Sequence, residues 1–446
     1  MDMGLRVEHD LYELLSFRFG KNCVFLSPKF SKAGIEKEVC DILILTLPYA
    51  IAFQIKWMKL TSEELFRDKA DIKKERMIRR MRNAADQFSE ICSNISHAQN
   101  VELSMNWDDG SVETFVLPMD KIEHLVPVVI IDFEDKDYSN PDKRYCDIPP
   151  VIIDAGKQAQ KYGKIHSFLK ADFKRIVEQL FSVGDFMLWL FEREKMFGSK
   201  PKVFIGYNEM TMFYLYLANN PLFKKICNND CVWIGDNDIF ENETNKFKDE
   251  FEKRRILFGS KNIIDKIEEQ LTFAINRQSD SELRNEKIIN YIALISRFKR
   301  LSSLMRVVMS DKLKTSLKEF HHDNEKLSIR GTYSIFDEGA VCSTLYYLGV
   351  ADFSSENAEP LCEYSYLRSI SNAKRMGRLD QIKEVFVVIL RKDRLDLLVH
   401  LFYVEDEDRL KVLEDDELMK TQPSVLYGHW KMSEWSFIKK EYATPN

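Results

Sequence analysis

The sequence predicts an α/β N-terminal domain with a central mixed sheet flanked by helices, followed by a mainly helical α+β C-terminal region with a small late sheet. Three observations carry this. Residues 1–198 alternate between strand and helix patterns, their centre is a strongly apolar hairpin over residues 38–57, and beyond Gly198-Ser199-Lys200-Pro201 the apolar spacing turns helical from about 208 to 320. The boundary is therefore drawn there, giving domains 1–198 and 199–446.

Leu11, Leu14, Leu15 and Phe19 recur at helical spacing, and Gly20 closes that helix before the short strand Cys23-Val24-Phe25-Leu26. A polar connection leads to the hairpin. Ser62 then opens a charged helical stretch that keeps Met77, Met81, Ala84, Phe88 and Ile91 in period to about Ile95. Val101 to Met105 and Val112 to Leu117 alternate on either side of Asp108-Asp109-Gly110, a hairpin signal. Val126 to Phe133 and Val151 to Ile153 read as further strands, and Phe173 to Phe191 as one or two closing helices. In the C-terminal region helical patterns cover about 208–226, 242–256, 260–277 and 282–320. A strand pair follows at Val385 to Leu390 and Leu395 to Val404.

The hairpin carries polar groups where none is expected. Ile42 to Leu45 form an apolar run, and from Ala50 the side chains alternate, so Ile51, Phe53, Ile55 and Trp57 share one face and Gln54 and Lys56 the other. Folding about Pro48-Tyr49 sets Asp41 opposite Lys56; a slip of two residues sets it opposite Gln54. Either way an acid, a carboxamide and a lysine gather among apolar strand residues, which is costly unless they are paired, hydrogen-bonded or metal-bound.

Composition narrows the classes of function. The chain has 446 residues, 45% apolar content and a formal net charge of -6, so affinity for polyanions must come from a local patch. No run is long enough to span a membrane, and Met1 to Arg18 lacks the apolar core of a signal peptide. Eight scattered cysteines read as reduced thiols of a cytoplasmic protein. No Gly-rich phosphate loop and no Gly-x-Ser-x-Gly elbow is present, which argues against ATP hydrolysis and serine-hydrolase chemistry.

Phosphodiester cleavage requires neutralising a developing charge and deprotonating water, tasks suited to a divalent cation held by a carboxylate and oxygen donors. Asp41, the Gln54 carboxamide and the main-chain carbonyl of Ile55 form such a set, and Lys56 on the same strand suits orienting the nucleophile or stabilising the phosphorus centre. These residues resemble the PD-(D/E)XK nuclease superfamily, in its restriction-endonuclease-like and Holliday-junction-resolvase-like branches with a Q-x-K variant. In those proteins an acid on the first helix precedes a strand, then a strand bearing the metal-binding aspartate, then a strand bearing (D/E/Q)-x-K. Here Glu13 would be the helix acid, with Glu8 as fallback, and Asp41, Gln54 and Lys56 the rest; the run Glu36-Lys37-Glu38-Val39-Cys40-Asp41 is similar to one found in many bacterial members. The resemblance covers residues 5–195. It implies Mg²⁺-dependent, or Mn²⁺-dependent, cleavage of DNA, RNA not being excluded, in restriction or phage defence.

The basic run Lys73, Lys74, Arg76, Arg79 and Arg80 is the candidate phosphate grip, set against a solvated, ion-paired helix face, since Asp68, Asp71 and Glu75 are interleaved. Two alternatives stand beside cleavage. One is a catalytically inactive nuclease-fold sensor; the other is an effector silent until residues 199–446 bind a partner protein or phage component. Symmetric double-strand cutting favours a homodimer.

Overall fold

The computed structural model describes residues 3–32, 35–58, 79–84, 86, 88, 99–107, 110–133, 151–154, 164–197, 209–218, 223, 252, 255–258, 262–276, 284–320, 329–336, 343–352, 357–375, 379–391, 397–404 and 424–427. The fold is mixed α/β, with mixed sheets flanked by helices. The chain divides into two compact units. The first runs from Met1 to Gly259 and includes Ile275–Leu301 and Met432–Asn446; the second comprises Ser260–Ala274 and Ser302–Lys431. The boundary expected at 198/199 thus falls within the first unit.

In the first unit, α1 (Met3–Phe19) buries Val7, Leu11, Tyr12, Leu15 and Phe19. It ends at Gly20, whose N–H bonds to the Ser16 carbonyl (2.9 Å) and whose φ of +98° suits glycine. The central sheet runs in the order β1 (Val24–Leu26), β4 (Ile42–Thr46), β5 (Tyr49–Met58), β8 (His124–Phe133), β10 (Lys164–Leu169), β9 (Val151–Asp154). β1, β4 and β5 are antiparallel neighbours, whereas β5, β8 and β10 run parallel. β4 is paired on both edges, by β1 and β5, and is buried at every residue, as a strand covered on both faces is. Leu47-Pro48, joined by a cis peptide bond, make a two-residue turn between Thr46 and Tyr49. That turn fixes the register, setting Ile42 opposite Phe53 and so Asp41 beside Gln54, two residues from the first register considered.

Helices α2 (Lys170–Gln179) and α3 (Val183–Phe197) cover one face through Phe53, whose ring centroid lies 5.7 Å from Phe173 and 6.2 Å from Phe186; Phe19 of α1 meets Phe186 at 6.0 Å. A second sheet, β3 (Ile35–Glu38), β2 (Lys29–Lys32), β6 (Asn100–Asn106), β7 (Val112–Pro118), is antiparallel throughout. The β6–β7 hairpin agrees with its turn signal, whereas β2–β3 occupies the stretch read as a polar connection. α4 is Glu209–Leu217 and α6 is Arg284–Lys299. α6 packs on β4 and β7, and Asn285 bonds both the N–H (2.8 Å) and the carbonyl (3.2 Å) of Val116, capping the middle of the β7 edge. This contact draws α6 out of the region expected to be a separate domain, and local spacing carries no sign of it. Gly184 lies against the end of the same helix, where an added Cβ would meet the Arg300 carbonyl oxygen at 2.3 Å.

The second unit holds α5 (Ile263–Asn276, its first residues), α7 (Ser303–Glu319), α8 (Ala358–Arg375) and a five-stranded sheet. Its order is β14 (Leu397–Tyr403), β13 (Ile382–Arg391), β12 (Ser343–Ala351), β11 (Ile329–Phe336), β15 (Ser424–Tyr427). The strand pair expected at 385–390 and 395–404 corresponds to β13 and β14, and β11, β12 and β15 widen the small late sheet to five strands. β12 and β13 are parallel and joined by α8, a βαβ crossover that buries Tyr347, Val387 and Ile389 against Tyr366 and Ile370. Among the described residues no helix is long and apolar enough to cross a membrane.

Candidate functional site

The site grows from the register of β4 and β5. Asp41 directly precedes β4, where the chain enters the sheet, and its N–H donates to the Phe53 carbonyl (3.0 Å). The residue is 7% exposed, and its Oδ2 accepts from Gln54 Nε2 (2.7 Å) and from the Ile55 main-chain N–H (2.5 Å). Among the described residues Oδ1 receives no hydrogen bond. Burial above all pushes the Asp41 carboxyl up to about 7; the Ile55 N–H opposes this, the charges of Glu8 and Glu38 add to it, and Lys56 opposes it. A carboxyl that is half-ionised near neutrality, with one oxygen open, is readily converted to its charged form by an arriving cation.

Of the residues chosen from sequence, the structure brings Asp41, Gln54, Ile55 and Lys56 together at one end of β5. Gln54 is 8% exposed, and Lys56 is half-buried. Glu13 lies apart: it is exposed and stands 3.9 Å from His9 of its own helix. Glu8 is the α1 acid whose charge reaches Asp41. The sequence holds a signal for this, since Glu8 shares a helical stripe with Leu11, Tyr12 and Leu15, all buried, whereas Glu13 is flanked on its face by exposed His9, Asp10 and Phe17. Glu38, exposed at the end of β3, is near enough for its charge also to act on Asp41. Lys73, Lys74 and Arg76 lie outside the described residues; Arg79, exposed, and Arg80, half-buried, stand on a helical segment at 79–84.

A group that sequence reading missed lies at the same end of the parallel strands. Lys170, the first residue of α2, sits 3.0 Å from Asp132 at the end of β8 and 4.0 Å from Asp10 of α1. Behind the sheet, Arg193 of α3 is fully buried. It bonds Glu209 of α4 with two nitrogens (2.9 and 2.8 Å), the Ser167 carbonyl (3.0 Å) and Nδ1 of His166 (3.1 Å). Burial first, and Arg193 with it, holds His166 down to about 4, so the ring is neutral and its Nε2 faces Glu194 at 3.2 Å. Cys23, ahead of β1, and Cys40, ahead of β4, are buried and form no disulfide.

Comparison of the chain with protein families, characterised proteins and solved structures gives no match. The reading of the site therefore rests on its own geometry. Among the described residues no three His, Cys, Asp or Glu side chains converge at metal-binding separation. A cation here would draw on Asp41, the carboxamide oxygen of Gln54, the Ile55 carbonyl and, from α1, Glu8. These are all hard oxygen donors, suited to Mg²⁺ or Mn²⁺ rather than a soft metal.

Proposed function

We propose that the first unit is a metal-dependent endonuclease that hydrolyses DNA phosphodiester bonds, in the manner of the PD-(D/E)XK nucleases. The observation that carries this reading is the open Oδ1 of buried Asp41 beside Gln54-Ile55-Lys56 on the adjoining antiparallel strand. The order of elements supports it: a helix whose Glu8 charge reaches Asp41, then, within the central sheet, β1, the strand entered through Asp41 and β5 with its Q-x-K, while β2 and β3 between them belong to the other sheet of the unit. A bound Mg²⁺ or Mn²⁺ would supply charge neutralisation at the phosphate and acidify a water. Asp41 and Gln54 furnish oxygens, with Gln54 also holding the Asp41 carboxylate in place through its amide. Lys56, half-buried, brings a positive charge to the attacked phosphate and orients the nucleophile. We place this activity in the cytoplasm, in restriction or anti-phage defence, with the second unit engaging a partner protein or phage component. A second reading, a nuclease-fold sensor without turnover, draws on Gln54, a weaker ligand than a carboxylate.

A plasmid-nicking assay tests both readings, with Mg²⁺, Mn²⁺ or EDTA and the variants Asp41→Ala, Lys56→Ala, Glu8→Gln and Glu13→Gln. The nuclease reading expects metal-dependent nicking, abolished in the first two, reduced about ten- to a hundredfold in Glu8→Gln and unchanged in Glu13→Gln. Full activity in folded Lys56→Ala would overturn it, and chelator-insensitive DNA binding without turnover would favour the sensor.

A further inference from the structure

We propose that β14 is a homodimer interface, pairing antiparallel with β14 of a second copy so that the two five-stranded sheets become one. β14 ends its sheet, with β13 on one side only. Its pairing with β13 runs unbroken from Leu390↔Leu397 to Glu384↔Tyr403, without a bulge. Exposed sheet edges of this length are normally blunted by lysines, prolines, bulges or a covering element. Leu397-Leu398-Val399-His400-Leu401-Phe402-Tyr403 has no lysine and no proline. Among the described residues its outer edge has no covering partner, apart from a long contact of the Tyr366 hydroxyl with the Tyr403 carbonyl (3.4 Å). β7, by contrast, has Asn285 bonded to the N–H and the carbonyl of Val116 on its edge.

The occupant follows from the strand's own pattern. An antiparallel pair centred on His400 sets Leu397 opposite the second copy's Tyr403 and Val399 opposite its Leu401 on one face, and Leu398 opposite Phe402 on the other. Each cross-strand pair is apolar, and no like charges oppose each other. His400 meets itself at the axis. It is exposed and lies against Phe402, with ring centroids 4.2 Å apart. Partial desolvation lowers its pKa from the ordinary imidazole value, with the Glu359 carboxylate opposing that, which lessens charge repulsion at the axis. Tyr403, 61% exposed, would be covered in the pair. One added strand pairing places the dimer in the weak, transient class.

Sedimentation equilibrium of the full chain, from about 1 to 100 µM, reads the dimer directly. The expected result is reversible dimerisation, with Leu401→Lys raising the dissociation constant at least about tenfold while its thermal melt stays cooperative. Mild oxidation supplies a second reading through His400→Cys and Tyr403→Cys. Cysteines at 400 lie on the axis and should cross-link; those at 403 stand about 20 Å apart along the strands and should not. A chain monomeric throughout, a dimer indifferent to Leu401→Lys, or equal cross-linking at both positions would each overturn the proposal.

Discussion

At the residue scale the decisive group is Asp41. Its folded carboxyl holds a proton up to about pH 7, whereas the unfolded chain releases it near 4. The native state therefore binds more protons across that window, so the contribution of Asp41 to stability falls as pH rises from about 4 to about 7 and is flat above. Asp41→Asn keeps an acceptor oxygen for Gln54 and Ile55 but carries no charge. Without metal it should raise stability by on the order of 1–3 kcal/mol at pH 8 and change little at pH 4, measured by denaturant titration. A lower stability for the variant at pH 8 would refute the burial argument. Asp41, Gln54 and Lys56 were legible in the sequence because polar residues interrupt an apolar alternation. The choice between Glu8 and Glu13 was less so, because it depends on α1 beginning at Met3 and on which of its faces meets the sheet.

At the scale of elements, the scaffold behind the site is held by a buried charge pair. Arg193 and Glu209 join α3 to α4, and the Arg193 guanidinium also stacks 4.3 Å from the Phe168 ring of β10. Breaking such a pair from one side leaves an uncompensated carboxylate in the interior. Arg193→Met should therefore cost about 3–5 kcal/mol, and adding Glu209→Gln should recover part of it, as a double-mutant cycle would read. Additive losses would mean that the two side chains act independently. β10 itself escaped sequence reading, since Lys164-Ile165-His166-Ser167-Phe168-Leu169 lacks a clean period; its buried His166 is held between Arg193 and Glu194, and Arg193 also bonds the Ser167 main-chain carbonyl.

At the scale of the whole molecule, two units with separate cores imply two unfolding events. Calorimetry of the full chain should resolve two transitions. Arg193→Met should lower one of them. The other should respond to Arg306→Met, because Arg306 of α7 is clamped by Asp265 (3.1 Å) and Glu268 of α5 in the second unit. A single transition moved alike by both variants would argue for one cooperative body. Periodicity and charge were sufficient for the α/β class, for the hairpins at Pro48 and Gly110, and for the polar trio on β4 and β5, because those signals lie within a few residues of each other. The register that joins Asp41 to Gln54, the acid that α1 presents, the recruitment of α6 to the first unit and the width of the five-stranded sheet all arise from contacts between residues far apart in the chain. Local spacing cannot encode such contacts, since each depends on which surfaces remain to be covered once the nearer elements have folded.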